Sequence, residues 1–138
     1  PAGVLDRVDP RLLAALDALR DKFGRPIHPS PVPGAWARTD GSAGPRHYAV
    51  GRLSDAGDIF PTGDVRQAWL AACSLPQIGG IGLYVDTQFR GEPWPMLHID
   101  LRPNRLPGAR TEGRYVYPLR SDAESDEFLQ ILAGAGRA

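Results

Sequence analysis

The segment Met96-Leu97-His98-Ile99-Asp100-Leu101-Arg102 decides the fold, because apolar and polar side chains alternate along it. Successive side chains on a β-strand point to opposite faces of a sheet, so this period of two predicts a strand with one apolar face. Leu97, Ile99 and Leu101 share that face. The other face carries a histidine, an aspartate and an arginine in turn, which a surface strand seldom does by chance. We therefore expect one face of a sheet to pack and the other to carry chemistry.

The rest of the sheet is predicted from alternating apolar or aromatic residues and from the glycines that bound these segments. A loop over residues 87–95 leads into the strand quoted above. Residues 24–46 contain five prolines and four glycines, so they are mostly looping chain. The further predicted strands are residues 79–86, a short strand near Ile27, and residues 114–119.

Three helices are predicted from apolar residues spaced three and four apart. The first covers residues 10–23, with Asp9 as its N-cap and Gly24 at its end. The second begins near Thr62 or Asp64 and ends near Leu75. The third opens with a capping box and carries a short apolar stripe: Ser121, Glu124, Phe128, Leu129, Ile131 and Leu132. Helices and strands together predict a small α+β domain that spans residues 1–138.

Composition excludes several classes of protein. The 138 residues include 16 basic and 16 acidic side chains, so no overall charge favours nucleic acid. No apolar run approaches the roughly 20 residues that a membrane-spanning helix needs. The single cysteine, Cys73, rules out an internal disulfide framework and is expected to be a buried apolar residue. The chain begins at Pro1, which is consistent with a trimmed leader or a larger parent protein. We expect a monomer with no nucleic-acid partner and no membrane span.

Because the chain has few histidines, the members of any histidine-based metal site are nearly determined by their number. The chain has three, and His28 lies in an extended stretch where we expect a structural or solvent-facing role. His47 and His98 remain, with Asp58 as the preferred carboxylate and Asp55 as the alternative. Two neutral imidazoles and one carboxylate around a divalent ion leave a coordination position open for water. Zn²⁺ in such a site generates a nucleophile near neutral pH, so the pattern indicates hydrolase chemistry.

One set of residues follows the pattern of a known family: Gly24, Pro26, Ile27, Arg38, His47, Gly51, Ala56, Asp58, Gly80 to Tyr84, His98 and Asp100. Through these residues the chain resembles the zinc D-alanyl-D-alanine carboxypeptidases and the related peptidoglycan endopeptidases of bacteria and phages. The resemblance covers roughly residues 9–118. It implies a small antiparallel sheet with a single zinc site, flanked by helices, and cleavage of peptide bonds involving D-amino acids in cell-wall stem peptides. It also implies a periplasmic, extracellular or phage-associated location.

Two departures from the family pattern affect the site residues. Family members mostly separate the first histidine from the aspartate by seven positions, whereas Asp55 and Asp58 lie eight and eleven positions after His47. Many members also have an acid three positions before the second histidine, where this chain has Pro95.

The candidate catalytic residues are assigned partly through that resemblance. Glu92 matches the placement of an acid in the distantly related hedgehog signalling domain and is the preferred general base. Asp100 is the rival base, and otherwise it orients a ligand imidazole. Arg38 is the candidate for binding a substrate carboxylate or polarising the scissile carbonyl. Trp36, Tyr84 and Trp94 are either walls of a peptide groove or core residues.

Two other functions fit part of this pattern. A zinc-stabilised module that binds the cell wall or belongs to a virion would keep the fold without catalysis, and Pro95 favours it. A non-haem iron oxygenase would use two histidines and a carboxylate as well, but it needs a further histidine after His98 and none follows.

Overall fold

The computed structural model describes residues 4–32, 34–39, 46–47, 49–103, 114–117 and 130. These residues form a five-stranded antiparallel sheet, a separate two-stranded hairpin and two α-helices, which confirms the predicted α+β class. None of the helices in this part of the chain has the length and apolar character needed to cross a bilayer. The elements are a 3-10 turn Val4–Arg7, α1 Pro10–Phe23, β1 Ile27–Pro29, β2 Ala56–Pro61, α2 Val65–Ser74, β3 Gly80–Tyr84, β4 Gln88–Phe89, β5 Glu92–Pro93, β6 Met96–Asp100 and β7 Arg114–Tyr117.

Helix α1 begins and ends where its capping residues predict. The Asp9 carboxylate accepts a hydrogen bond from the Arg11 backbone N–H at 2.9 Å, and Pro10 takes the first helical position. Gly24 ends the helix with φ at 77°, and its N–H donates to the Arg20 carbonyl.

Helix α2 is capped in the same way by Asp64, which accepts from the Arg66 backbone N–H. Val65, Ala68 and Trp69 are buried on its inner side. Cys73 is half-buried and packs against the core.

The strands lie in the order β1-β2-β6-β3-β7, and every neighbouring pair is antiparallel. One face of this sheet packs against both helices. The core contains Leu12, Leu16 and Leu19 of α1, Val65, Ala68 and Trp69 of α2, and Ile59, Ile81, Leu83, Leu97 and Ile99 of the sheet. The predicted division of β6 is therefore confirmed, since Leu97 and Ile99 are fully buried on the core face.

Two features differ from the sequence-based expectation. Residues 87–95, expected as a loop, contain the β4–β5 hairpin, whose turn places Arg90 at φ 54° and Gly91 at φ 76°. Residues 56–61, for which no strand is predicted from the sequence, form the internal strand β2 between β1 and β6. Gly57 and Pro61 obscure this strand in the sequence, and burial on both of its faces removes the alternation that identifies a strand.

Part of the predicted structure lies outside the described residues. The third helix, predicted from Ser121 to Leu132, falls there apart from Gln130. The strand expected over residues 114–119 is described as Arg114–Tyr117.

Candidate metal centre

The predicted site residues of β2 and β6 lie on the sheet face away from the helices. Asp58 on β2 lies directly opposite His98 on β6, and Gly82 on β3 lies opposite the same histidine. Asp100 follows two positions later on β6 and therefore shares this face. Glycines at positions 80 and 82 leave room here, because neither has a side chain to occupy the surface beside His98 and Asp100. We call the surface that contains Asp58, His98 and Asp100 the site face.

Three donor atoms converge on the site face. His98 Nδ1 lies 3.1 Å from Asp58 Oδ1 and 3.2 Å from His47 Nε2. His47 Nε2 lies 3.5 Å from Asp58 Oδ1. The preferred triad His47, Asp58 and His98 is thus brought together as a group that could hold a metal ion. Asp55, the alternative ligand, pairs with Arg46 instead.

The spacing of these donors fits a small divalent cation. At bond lengths of about 2.0–2.1 Å, two donors of a tetrahedral zinc site lie about 3.3–3.4 Å apart. The three observed separations of 3.1, 3.2 and 3.5 Å bracket that value. Two imidazole nitrogens and one carboxylate oxygen are also the donor types that zinc and related transition metals accept. The residues present therefore fit a metal ion of this class.

Backbone hydrogen bonds hold the segment of His47 against Arg38. The Arg38 N–H donates to the His47 carbonyl at 2.7 Å, and the Ala49 N–H donates to the Arg38 carbonyl at 2.7 Å. Arg38 itself is half-buried, and its side chain packs over Gly34. The Nδ1 atom of His47 is buried and has no hydrogen-bond partner among the described residues.

Asp100 orients the His98 ring from the side opposite its donor atom. His98 donates through Nε2 to Asp100 Oδ2 at 2.9 Å, which leaves Nδ1 facing Asp58 and His47. Asp100 is fully buried and is also held by Arg102, at 2.9 Å through Nε and 2.7 Å through a terminal nitrogen. Glycine is required at position 80, because a Cβ there would lie 2.2 Å from an Asp100 oxygen.

The electrostatics keep both carboxylates of the site ionised. Burial alone would raise the pKa of Asp58, but hydrogen bonds from His47 and His98 outweigh it and hold the pKa below its usual value. Burial opposes ionisation of Asp100 too, yet hydrogen bonds from His98 and Arg102 hold its pKa far below the usual range. Burial disfavours a charged His98, but its hydrogen bonds to these two carboxylates outweigh burial and raise its pKa. The raised pKa favours the protonated imidazole, so a metal ion must displace a proton from His98 in order to bind.

Comparison with models of protein families, with curated proteins and with solved structures finds no match to this chain.

The other predicted site residues lie at different depths. Glu92 is exposed on β5. Trp36 packs against the core, and a Cβ on Gly57 would lie 2.4 Å from its ring, so Trp36 is a core residue and not a groove wall. Trp94 donates through Nε1 to the Pro61 carbonyl at 2.7 Å and is half-buried. Tyr84 ends β3 and is half-buried.

An aromatic cluster beside the triad was not predicted. Phe89 of the hairpin stacks on Phe60 and His28, with ring centroids 4.6 and 5.5 Å apart, and Trp94 meets it edge-on at 5.2 Å. Phe60 and His28 are cross-strand partners on the site face, since Phe60 lies two positions after Asp58. These ring contacts therefore hold the hairpin against the site face, at the β1–β2 edge of the five-stranded sheet. Neither the strand pairing nor the hairpin was visible in the sequence, so nothing there indicated that these rings meet.

Proposed function

We propose that this protein is a zinc-dependent peptidase that cleaves peptide bonds involving D-amino acids in bacterial cell-wall stem peptides. The observation that carries the proposal is the convergence of His47 Nε2, Asp58 Oδ1 and His98 Nδ1 at separations of 3.1 to 3.5 Å. Two imidazoles and one carboxylate form the protein donor set of zinc peptidases. The resemblance in sequence supplies the substrate class, which would place the protein outside the cytoplasm or in a phage particle.

The ligand residues supply an open metal site. A zinc ion held by His47, Asp58 and His98 would lower the pKa of a bound water to near 7 and would polarise a substrate carbonyl. The chain's own part is to keep these ligands converged. Asp58 is held as an ionised carboxylate, and the Nε2 hydrogen bond of His98 directs its Nδ1 toward the other two donors.

Glu92 is the proposed general base. It pairs directly with Phe89 across the hairpin, and directly opposed residues project to the same face of a β-ladder. Phe89 faces the sheet, where it stacks on Phe60. The Glu92 side chain therefore leaves the hairpin on the side that faces the site. In the proposed reaction its carboxylate accepts a proton from the attacking water and returns it to the leaving amine.

Asp100 and Arg38 have other proposed roles. Asp100 bonds the Nε2 edge of His98, away from the converging donors, and both its oxygens are engaged by Arg102, so it is a positioning residue and not the base. Arg38 adjoins His47 through the backbone. Its guanidinium is proposed to bind the substrate carboxylate or the developing oxyanion.

The test combines metal analysis with a peptidase assay. Purified protein is expected to hold one zinc per chain and to cleave a peptide that ends in D-alanyl-D-alanine, or peptidoglycan itself. Chelation should abolish the activity and zinc should restore it. Glu92→Gln should lower kcat by about 10²- to 10⁴-fold without loss of zinc. Asp86→Asn, at an exposed acid just before the hairpin, is the control and should keep its kcat. Metal-free protein with undiminished activity would contradict the proposal.

A non-catalytic cell-wall-binding module of the same fold is the second candidate. It is favoured by the buried Pro95, which stands where many family members have an acid, and by the exposure of Glu92. This candidate predicts zinc binding and retention on peptidoglycan with negligible turnover, and neither His47→Ala nor Glu92→Gln would then change the rate.

A further inference from the structure

Behind the metal-ligand triad, four charged side chains form one connected network. Arg46 forms a bidentate ion pair with Asp55. The Arg46 Nε lies 2.8 Å from Asp55 Oδ1, and a terminal nitrogen of Arg46 contacts Oδ2. The same Nε lies 3.9 Å from Oδ1 of Asp100, which Arg102 holds from its other side. The order Asp55, Arg46, Asp100, Arg102 alternates in sign.

This network joins the two parts of the chain that carry the histidines. Arg46 immediately precedes His47, and Asp100 is the hydrogen-bond partner of His98. Asp55 is fixed to β6 as well, since its carbonyl accepts from the Leu101 N–H at 3.1 Å. The network therefore sets where the loop that carries His47 lies relative to the strand that carries His98.

The neighbouring Ser54 reinforces the same junction. Its hydroxyl is fully buried and lies within hydrogen-bond distance of the Arg46 carbonyl at 3.3 Å, and also of the Ala56 carbonyl at 3.2 Å. The segment from residue 47 to residue 55 is thus closed at both ends. Asp55, three positions before Asp58, is thereby held against Arg46, the residue before His47.

We propose that Arg46 and Asp55 are positioning residues that preorganise the metal site. Both oxygens of Asp55 are engaged by Arg46, so its carboxylate holds the loop and does not ligate the ion. The pair is mostly buried, with side chains 31% and 17% exposed, and removing one member leaves the other charge uncompensated. The inference rests on the metal-ligand triad of the proposed function, and it does not depend on which reaction follows.

The experiment measures zinc affinity by titrating metal-free protein against a chromogenic chelator. Arg46→Gln and Asp55→Asn should each weaken zinc binding by about tenfold, the lower end of the effect of residues that orient metal ligands. The double variant should bind about as weakly as either single variant, because both remove the same contact. Arg20→Gln is the control, since its ion pairs with Asp17 and Asp21 lie on the exposed surface of α1. It should bind zinc as the original chain does.

Thermal unfolding of the metal-free variants separates positioning from mere stabilisation. If Arg46 and Asp55 only stabilise the fold, the variants unfold earlier but bind zinc with unchanged affinity, and the inference is wrong. It is also wrong if Asp55→Asn abolishes binding while Arg46→Gln leaves it intact, because Asp55 would then be a ligand. Tight binding by the original chain with weakened variants but no peptidase activity would support the inference and reject the proposed reaction. Failure of the original chain to bind zinc would reject both.

Discussion

At the scale of single residues, the buried carboxylate of Asp100 decides which nitrogen of His98 is free to bind a metal. It accepts from Nε2 at 2.9 Å, and the ring can then offer only Nδ1 to the site. Burial opposes ionisation of this carboxylate, but hydrogen bonds from His98 and Arg102 outweigh burial and lower the pKa of Asp100. Orientation of a ligand histidine by a carboxylate also raises the basicity of its donor nitrogen.

Asp100→Asn should therefore weaken zinc binding by about 10- to 100-fold. An asparagine that accepts from His98 must turn its amide N–H₂ toward the Arg102 guanidinium, so the two interactions can no longer both be satisfied. Zinc titration of the metal-free variant measures the effect, with Asp21→Asn as a control at an exposed acid on α1. Equal affinities of the Asp100 variant and the control would reject the positioning role.

The sequence could identify the residue types of the site but not their partners. Alternation along β6 placed His98 and Asp100 on one face, and the scarcity of histidine added His47. The sequence left Asp55 open as an alternative to the preferred Asp58, because that choice depends on the pairing of Asp58 with His98 and on the contact between Asp55 and Arg46. The first contact joins positions 40 apart and forms only when β2 and β6 pair, and the second joins positions 9 apart that lie outside the helices and strands.

At the scale of elements, the caps of the helices are local and were therefore readable in the sequence. The start of α1 depends on one aspartate, Asp9, whose carboxylate satisfies the Arg11 N–H.

Asp9→Ala should lower the free energy of unfolding by about 1 kcal/mol, measured by urea denaturation, while Asp17→Ala on the exposed helix surface changes it little. The hydrogen bond from the Arg11 side chain lowers the pKa of Asp9 despite burial. The contribution of this cap to the free energy of unfolding is therefore complete above the usual aspartate pKa. It is lost as the pH falls through the lowered pKa of Asp9 in the folded chain. A variant as stable as the original chain at neutral pH would contradict this role.

The hairpin was missed because its turn lacks an Asn-Gly or Asp-Gly signature. Arg90 takes the first left-handed position, φ 54°, which an arginine rarely adopts, and the guanidinium lies 4.9 Å from the centre of the Phe89 ring. Packing of Phe89 on Phe60 and His28 overrides the local preference. Such packing joins segments about 30 and 60 positions apart, so no local pattern could reveal it.

Phe89→Ala should release the hairpin from the site face. The buried ring is expected to be worth on the order of 3 kcal/mol, so the amides of β4 and β5 should exchange hydrogen faster while those of β6 stay protected. Because Glu92 is carried on the hairpin, kcat should fall with zinc affinity unchanged. Gln88→Ala, at the exposed neighbouring position, is the control. Unchanged exchange in β4 and β5, or a loss of zinc, would show that the hairpin is held in another way.

At the scale of the whole molecule, the sheet separates two tasks. Its helix-covered face supplies the apolar core, and its opposite face gathers polar groups that would be costly to bury without partners. The metal-ligand triad connects β2, β6 and the loop of His47, three segments that are distant in sequence. The α+β class was predictable from periodicity, whereas the position of β2 between β1 and β6 was not.

Metal binding should therefore stabilise the entire fold. Zinc at 100 times its dissociation constant is expected to add about 2.7 kcal/mol to the free energy of unfolding, seen as a higher thermal midpoint that chelation reverses. His47→Ala should show no such rise. An equal rise in both proteins would mean that zinc binds elsewhere.

The central claim is that His47, Asp58 and His98 together hold one zinc ion. The most direct test is the equilibrium binding of zinc to the original chain, to Asp58→Ala and to Asp55→Ala. We expect one ion per original chain, loss of binding in Asp58→Ala, and an unchanged stoichiometry with weakened affinity in Asp55→Ala. Retention of zinc by Asp58→Ala together with its loss from Asp55→Ala would contradict the account.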